Sequence, residues 1–118
     1  MRALMCGAAA LFVSTSFAAA DDVMANYYGN TLIANSATTD LHIHYKADHT
    51  FDAAGTSASG PISFQGKWSI DKRGQLCRDY ATPPPGRTNP VCTPWSAHAV
   101  GDTWELPGVT LTLVEGVQ

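Results

Sequence analysis

From residue 27 onward, apolar residues recur at every second position, and Gly, Pro and Asp break the runs. The first run, "YYGNTLIAN" (27–35), contains Gly29 and Asn30, which would bend it or open a bulge. Residues 21–26 before it read as a frayed arm or a short helical turn. "SATTD" leads into a strand over 41–46, with Leu41, Ile43 and Tyr45 on one face and His42, His44 and Lys46 on the other. The return strand is Thr50–Ala54, and its register depends on the turn. A two-residue loop would set His44 against Phe51 and mix the faces. A three-residue loop, Ala47-Asp48-His49, pairs Tyr45 with Phe51 and His44 with Asp52, and is the register expected. Such a loop usually ends in a left-handed residue, normally Gly. His49 holds that place here, and His adopts it more readily than most residues.

"GTSASGP" (55–61) reads as a loop. "ISFQGKWSI" follows, with Ile62, Phe64, Trp68 and Ile70 on one face and Gly66 between the rings, where a ring lies over it or the sheet bends sharply. "DKRG" is a hairpin turn with a positive φ expected at Gly74. The next strand, Gln75–Ala81, then sets Ile70 against Leu76, Lys67 against Asp79 and Arg78 against Trp68. Arg78 is either an inward charge near a ring or turned outward by a bulge or rim position, and the outward placement is the expectation. "TPPPGRTNP" (82–90) lacks ladder donors and forms a long stiff loop. "VCTPWSAHAV" is an irregular strand, with Pro94 marking an edge or bulge. "GDTWEL", the turn "PG" and "VTLTLVEG" make a last hairpin, with Val109, Leu111 and Leu113 inward. Seven or eight short antiparallel strands predict an all-β fold: a small up-and-down barrel or strongly curled sheet, with a small β-sandwich as the alternative.

The two ends of the chain differ in character. Residues 1–20 read as a signal peptide: Arg2 at the start, an apolar run through Val13, and Ala18-Ala19-Ala20 before Asp21. The expected organisation is this signal followed by a single β domain over 21–118, delivered to the periplasm or the extracellular space. Cys6 would leave with the signal. Cys77 and Cys92 remain, and in an oxidising compartment they are expected to form a disulfide. The whole chain carries a formal charge of −3, and Arg2 is the only charged residue of the signal, so the domain itself is more acidic. A basic patch is missing, which argues against nucleic acid, and no membrane span is expected in the mature chain.

Candidate chemistry centres on "HIHYKADHTF" (42–51). His42 and His44 share a face at a spacing that lets both imidazoles reach one Cu²⁺, Zn²⁺ or Ni²⁺. Asp52 opposite His44 would be a third ligand or orient a ring, and His49 would join if the turn curls back. Solvated strand histidines without a metal are the plainer reading of the same pattern. Serines are plentiful, but none lies in a nucleophile elbow. No phosphate-cradling glycine loop precedes a helix, so a nucleotide cofactor is not expected. Most aromatics are needed to fill so small a core. Trp95, beside Pro94, is the expected exposed contact residue, and with Pro84 and Arg87 of the stapled loop it would form a protein-binding surface.

"YYGNTL", a strand ending in "YKADHT", then "GKW", "GQLC" and a second Cys resemble a family of small exported bacterial proteins, the DUF995-like domain of unknown function. The resemblance covers residues 27 to 92, with His49 where the family's hairpin carries Gly. It implies the fold and export, and brings no activity. "SASG" with a later Trp and Cys also resembles small-barrel periplasmic lysozyme inhibitors, although order and cysteine pattern differ. The expected function is therefore a non-enzymatic binding protein, with metal capture at the histidine hairpin as its sharpest form. A protein-binding inhibitor or adaptor, and a small hydrolase with an unrecognised site, are the alternatives.

Overall fold

The computed structural model describes residues 23–118; the signal assigned to residues 1–20 lies outside them. A helical turn ending in a 3-10 segment, Ala25–Tyr27, is followed by eight strands. These are β1 (Thr31–Asn35), β2 (Asp40–Tyr45), β3 (Thr50–Ser57), β4 (Gly60–Ile70), β5 (Gln75–Tyr80), β6 (Val91–Pro94), β7 (Thr103–Leu106) and β8 (Val109–Val114). They form one antiparallel sheet in the order β6-β5-β4-β3-β2-β1-β8-β7, curled into a half-barrel. The curled single sheet is the first of the predicted architectures, and the sandwich alternative is not adopted.

The hairpin registers follow from keeping each apolar face continuous. Tyr45 pairs with Phe51 and His44 with Asp52 across a turn in which His49 has φ 70°. Lys67 pairs with Asp79, Trp68 with Arg78 and Ile70 with Leu76 across the turn closed by Gly74, with φ 78°. One reading changes. "GTSASGP" is not a loop: Ser57 pairs with Gly60 across a two-residue turn, because the pairing of the flanking segments extends the β3–β4 ladder through Gly55 and Ser57. Of the two alternatives for residues 21–26, the helical turn is the one found over the described part, where Met24 and Tyr27 are buried and seat the chain against the core.

The curl has a local cause in Gly66. It pairs with Phe51 on one side and Tyr80 on the other, and a Cβ there would collide with the Asp79 carbonyl oxygen. The neighbouring backbone approaches closely because no side chain intervenes, which permits the sharp bend. The sheet thus wraps its inward face around a core of Met24, Tyr27, Leu32, Tyr45, Phe51, Trp68, Leu76, Leu111 and Leu113. Burying each of the large side chains stabilises the fold by about 1.5–3 kcal/mol.

β6 is an edge strand, and the Cys77–Cys92 disulfide joins it to β5 at directly paired positions. Among the described residues no helix is long and apolar enough to cross a membrane.

Candidate functional site

The trough of the half-barrel is filled at one end and open at the other. At the filled end the segment after β6 turns inward. Trp95 packs 5.4 Å from the Tyr27 ring and 5.9 Å from that of Tyr45, centroid to centroid. The Tyr27 hydroxyl donates to the Ser96 carbonyl at 3.1 Å, and the Asn26 amide donates to the His98 carbonyl at 2.9 Å, so the helical entry pins this segment. Trp95 is therefore not an exposed tip. Its aromatic ring has more partners over the core than it would at the surface, and its Nε1–H is buried without an acceptor.

At the open end lies a cleft of about 410 Å³. Its floor is the inward face of β2–β5: Leu41, Ile43 and Tyr45; Phe51 and Ala53; Ile62 and Phe64; Arg78 and Tyr80. Pro84, Pro85 and Arg87 form its rim. Tyr45, Phe51 and Ala53 are buried, whereas Leu41, Ile43, Ile62, Phe64 and Tyr80 remain half-exposed although they point inward. Among the described residues nothing covers them as Trp95 and Tyr27 cover the other end.

The rim is held in place from two sides. The disulfide closes the loop at its base, and the Asn89 side chain brackets Tyr80 in the manner of a neighbouring strand. The Tyr80 N–H donates to Asn89 Oδ1 at 2.9 Å, and Asn89 Nδ2 donates to the Tyr80 carbonyl at 2.7 Å. Between these anchors a tight turn sets the Arg87 N–H on the Pro84 carbonyl at 3.0 Å. Prolines limit the freedom that remains.

Arg78 overturns the outward expectation. The β4–β5 register runs without interruption from Gly66–Tyr80 to Ile70–Leu76, so no bulge turns the residue away. Its Nε donates to the Tyr45 hydroxyl at 2.8 Å and its Nη1 to Thr93 Oγ1 at 3.3 Å. The guanidinium carbon lies 5.3 Å from the Trp95 ring centroid and 6.0 Å from that of Tyr45. The Trp95 ring, the hydroxyl edge of Tyr45 and the Thr93 hydroxyl take the place of water, which is how an inward arginine becomes tolerable. Burial opposes the charge most strongly of any single influence, but Tyr45 and Tyr80 together outweigh it and the Arg78 pKa is raised. The Tyr45 hydroxyl is itself pushed up by burial, against the lowering effect of Arg78.

The histidines do not gather. His44 Nδ1 meets Asp52 Oδ1 at 2.7 Å and its Nε2 lies 3.0 Å from the Gln118 carbonyl, so both ring nitrogens are engaged. His42 faces Asp40 instead, with Nε2 3.9 Å from Oδ1. His49 stacks on Trp68 at 4.1 Å and 16°, and its carbonyl accepts the Trp68 N–H at 2.8 Å. The predicted pair of His44 and Asp52 thus forms, while His42 and His49 are directed elsewhere. Among the described residues the one cluster with metal-ligand spacing is Asp71, Cys77 and Cys92, whose sulfurs are joined to each other.

His98 lies 3.2 Å from Ser96 Oγ through Nε2 and 3.6 Å from Asp102 Oδ2 through Nδ1, with its ring stacked on Trp104 at 3.5 Å. The order of groups is that of an acyl-transfer relay. The Nδ1 separation exceeds hydrogen-bond length, and the same Asp102 oxygen accepts the Ala99 N–H at 2.9 Å.

Comparison with family models, with curated proteins and with solved structures gave no match.

Proposed function

We propose that the chain is a non-enzymatic binding protein that holds a small, largely apolar ligand in the concave cleft beneath the Pro-rich loop. One observation carries this reading: the inward-facing Leu41, Ile43, Ile62, Phe64 and Tyr80 are left half-exposed beneath a rim held by a disulfide and by Asn89. Each uncovered apolar side chain forgoes stabilisation that burial would bring. A pre-formed concavity lined mainly by apolar groups, with a few polar ones, is the usual form of a small-molecule site. Export on the residue 1–20 signal would place this binding in the periplasm or outside the cell.

This reading stays within the binding class expected from sequence but moves the ligand from the hairpin's outer face to the sheet's inner face. The stapled loop keeps a role as the rim, with Pro84 and Arg87 facing the ligand. The test is titration with the neutral, environment-sensitive fluorophore N-phenyl-1-naphthylamine. One-to-one enhancement that disappears in Phe64→Asp, with the fold retained by circular dichroism, supports the cleft. Enhancement that is absent, or unchanged in Phe64→Asp, refutes it.

A further inference from the structure

We infer that the cleft selects an amphipathic monoanion, specifically a free medium-chain carboxylic acid, with Arg78 receiving the carboxylate. This rests on the cleft reading above and adds the chemistry of the ligand's polar end. Arg78 lines the cleft, yet among the described residues no carboxylate lies within 4.0 Å of its guanidinium. Its two hydrogen-bond acceptors, the Tyr45 and Thr93 hydroxyls, are neutral and balance none of its charge.

An enclosed cation without a counter-ion is costly, and enclosed charges are ordinarily paired. Two of the five guanidinium N–H donors are engaged by those hydroxyls, one on Nε and one on Nη1. Donors on both Nη1 and Nη2 remain, and that planar fork matches a carboxylate better than a point charge would.

The rest of the site defines the rest of the ligand. Apart from Arg78 and the exposed Arg87 on the rim, the side chains that line the cleft bring no charge, and most are aliphatic or aromatic. A volume of about 410 Å³ lies near the small end of ligand pockets, enough for one chain or one ring system. A two-chain lipid exceeds that space. A polyanionic phosphate would need more donors than one partly engaged guanidinium offers. Arg87, exposed on the rim and tied through its backbone to Pro84, adds attraction at entry rather than a second fixed contact.

The experiment is displacement of bound N-phenyl-1-naphthylamine from the disulfide-intact protein by dodecanoate, dodecan-1-ol and dodecyltrimethylammonium, each below its micelle concentration. The expected order is acid tightest, alcohol at least about tenfold weaker, and the cation weakest; tenfold corresponds to 1.4 kcal/mol. Arg78→Gln should abolish the preference for acid over alcohol while the neutral fluorophore still binds. Arg78→Lys keeps the charge without the planar fork and should retain part of the preference. The comparison in the unaltered protein stands even if a variant fails to fold. Equal displacement by acid and alcohol would overturn the carboxylate inference and leave the cleft reading intact. Absence of fluorophore binding from the unaltered protein would overturn both.

Discussion

The contact between Arg78 and Tyr45 can be tested as a double-mutant cycle on stability. Tyr45 is 1% exposed and its hydroxyl accepts the Arg78 Nε–H at 2.8 Å. Tyr45→Phe leaves that donor without its acceptor, and a hydrogen bond to a charged group contributes about 1.5–3 kcal/mol. Arg78→Met strands the Tyr45 hydroxyl instead, at about 1–3 kcal/mol, offset in part because an unneutralised charge is no longer enclosed. The double variant strands neither group. It should therefore be less destabilised than the two single losses combined, by at least about 1.5 kcal/mol. For a domain of this size that corresponds to roughly 6–12 °C in Tm. Thermal unfolding followed by circular dichroism, with the disulfide intact, reads all four proteins. Additivity within about 0.5 kcal/mol would mean that the contact is absent in solution and that Arg78 turns outward, against the inward placement on which the carboxylate inference depends.

Other expectations concern the rim, the turn and the hairpin. Replacing Cys77 and Cys92 by Ser opens a loop with a sequence separation of 15, lowers stability by about 3 kcal/mol on the chain-entropy model, and weakens fluorophore binding by loosening the rim; unchanged stability would refute the first half. His49→Gly should be nearly neutral in chemical denaturation, because relief of a left-handed backbone, about 1–2 kcal/mol, offsets the lost Trp68 stacking of about 0.5–1.5 kcal/mol, whereas His49→Ala loses the stacking without the relief. Burial alone would raise the Asp52 carboxyl, but hydrogen bonds from His44 and Lys46 win and hold it below the usual range. The folded-state value is thus the lower one, so Asp52 stabilises fully above the ordinary carboxylate range and loses its contribution as pH falls through the depressed value. Asp52→Asn should flatten that part of the acid-unfolding curve. Titration with Cu²⁺, Zn²⁺ or Ni²⁺ near neutral pH should give no stoichiometric site that disappears in a His42→Ala/His44→Ala variant; such a site would return the function to the hairpin.

Much of the fold is legible along the chain because period-two alternation fixes registers wherever one face must be buried. The His49 turn and the pairings of Tyr45 with Phe51 and Ile70 with Leu76 follow from that rule alone. It fails at "GTSASGP", where small polar residues carry no strand signal of their own and the pairing of the flanking segments extends the ladder. The site is less legible than the fold. Local pattern correctly set Arg78 beside Trp68, but the acceptors that make an inward guanidinium tolerable, Tyr45 and Thr93, come from β2 and β6. Likewise nothing near Trp95 in sequence announces that Tyr27, far earlier in the chain, draws it over one end of the trough. Once that end is filled, the other becomes a cleft. The histidines of the motif are close in sequence, but Asp40, Asp52 and Trp68 each engage a different ring.

The most direct test of the inner-face assignment is amide chemical-shift mapping of the disulfide-intact protein during titration with dodecanoate. Saturable shifts concentrated on residues 41–45, 51–53, 62–64, 78–80 and 84–87 are the predicted result. Shifts confined to the outer-face positions 42, 44 and 52, or scattered without saturation, would contradict it.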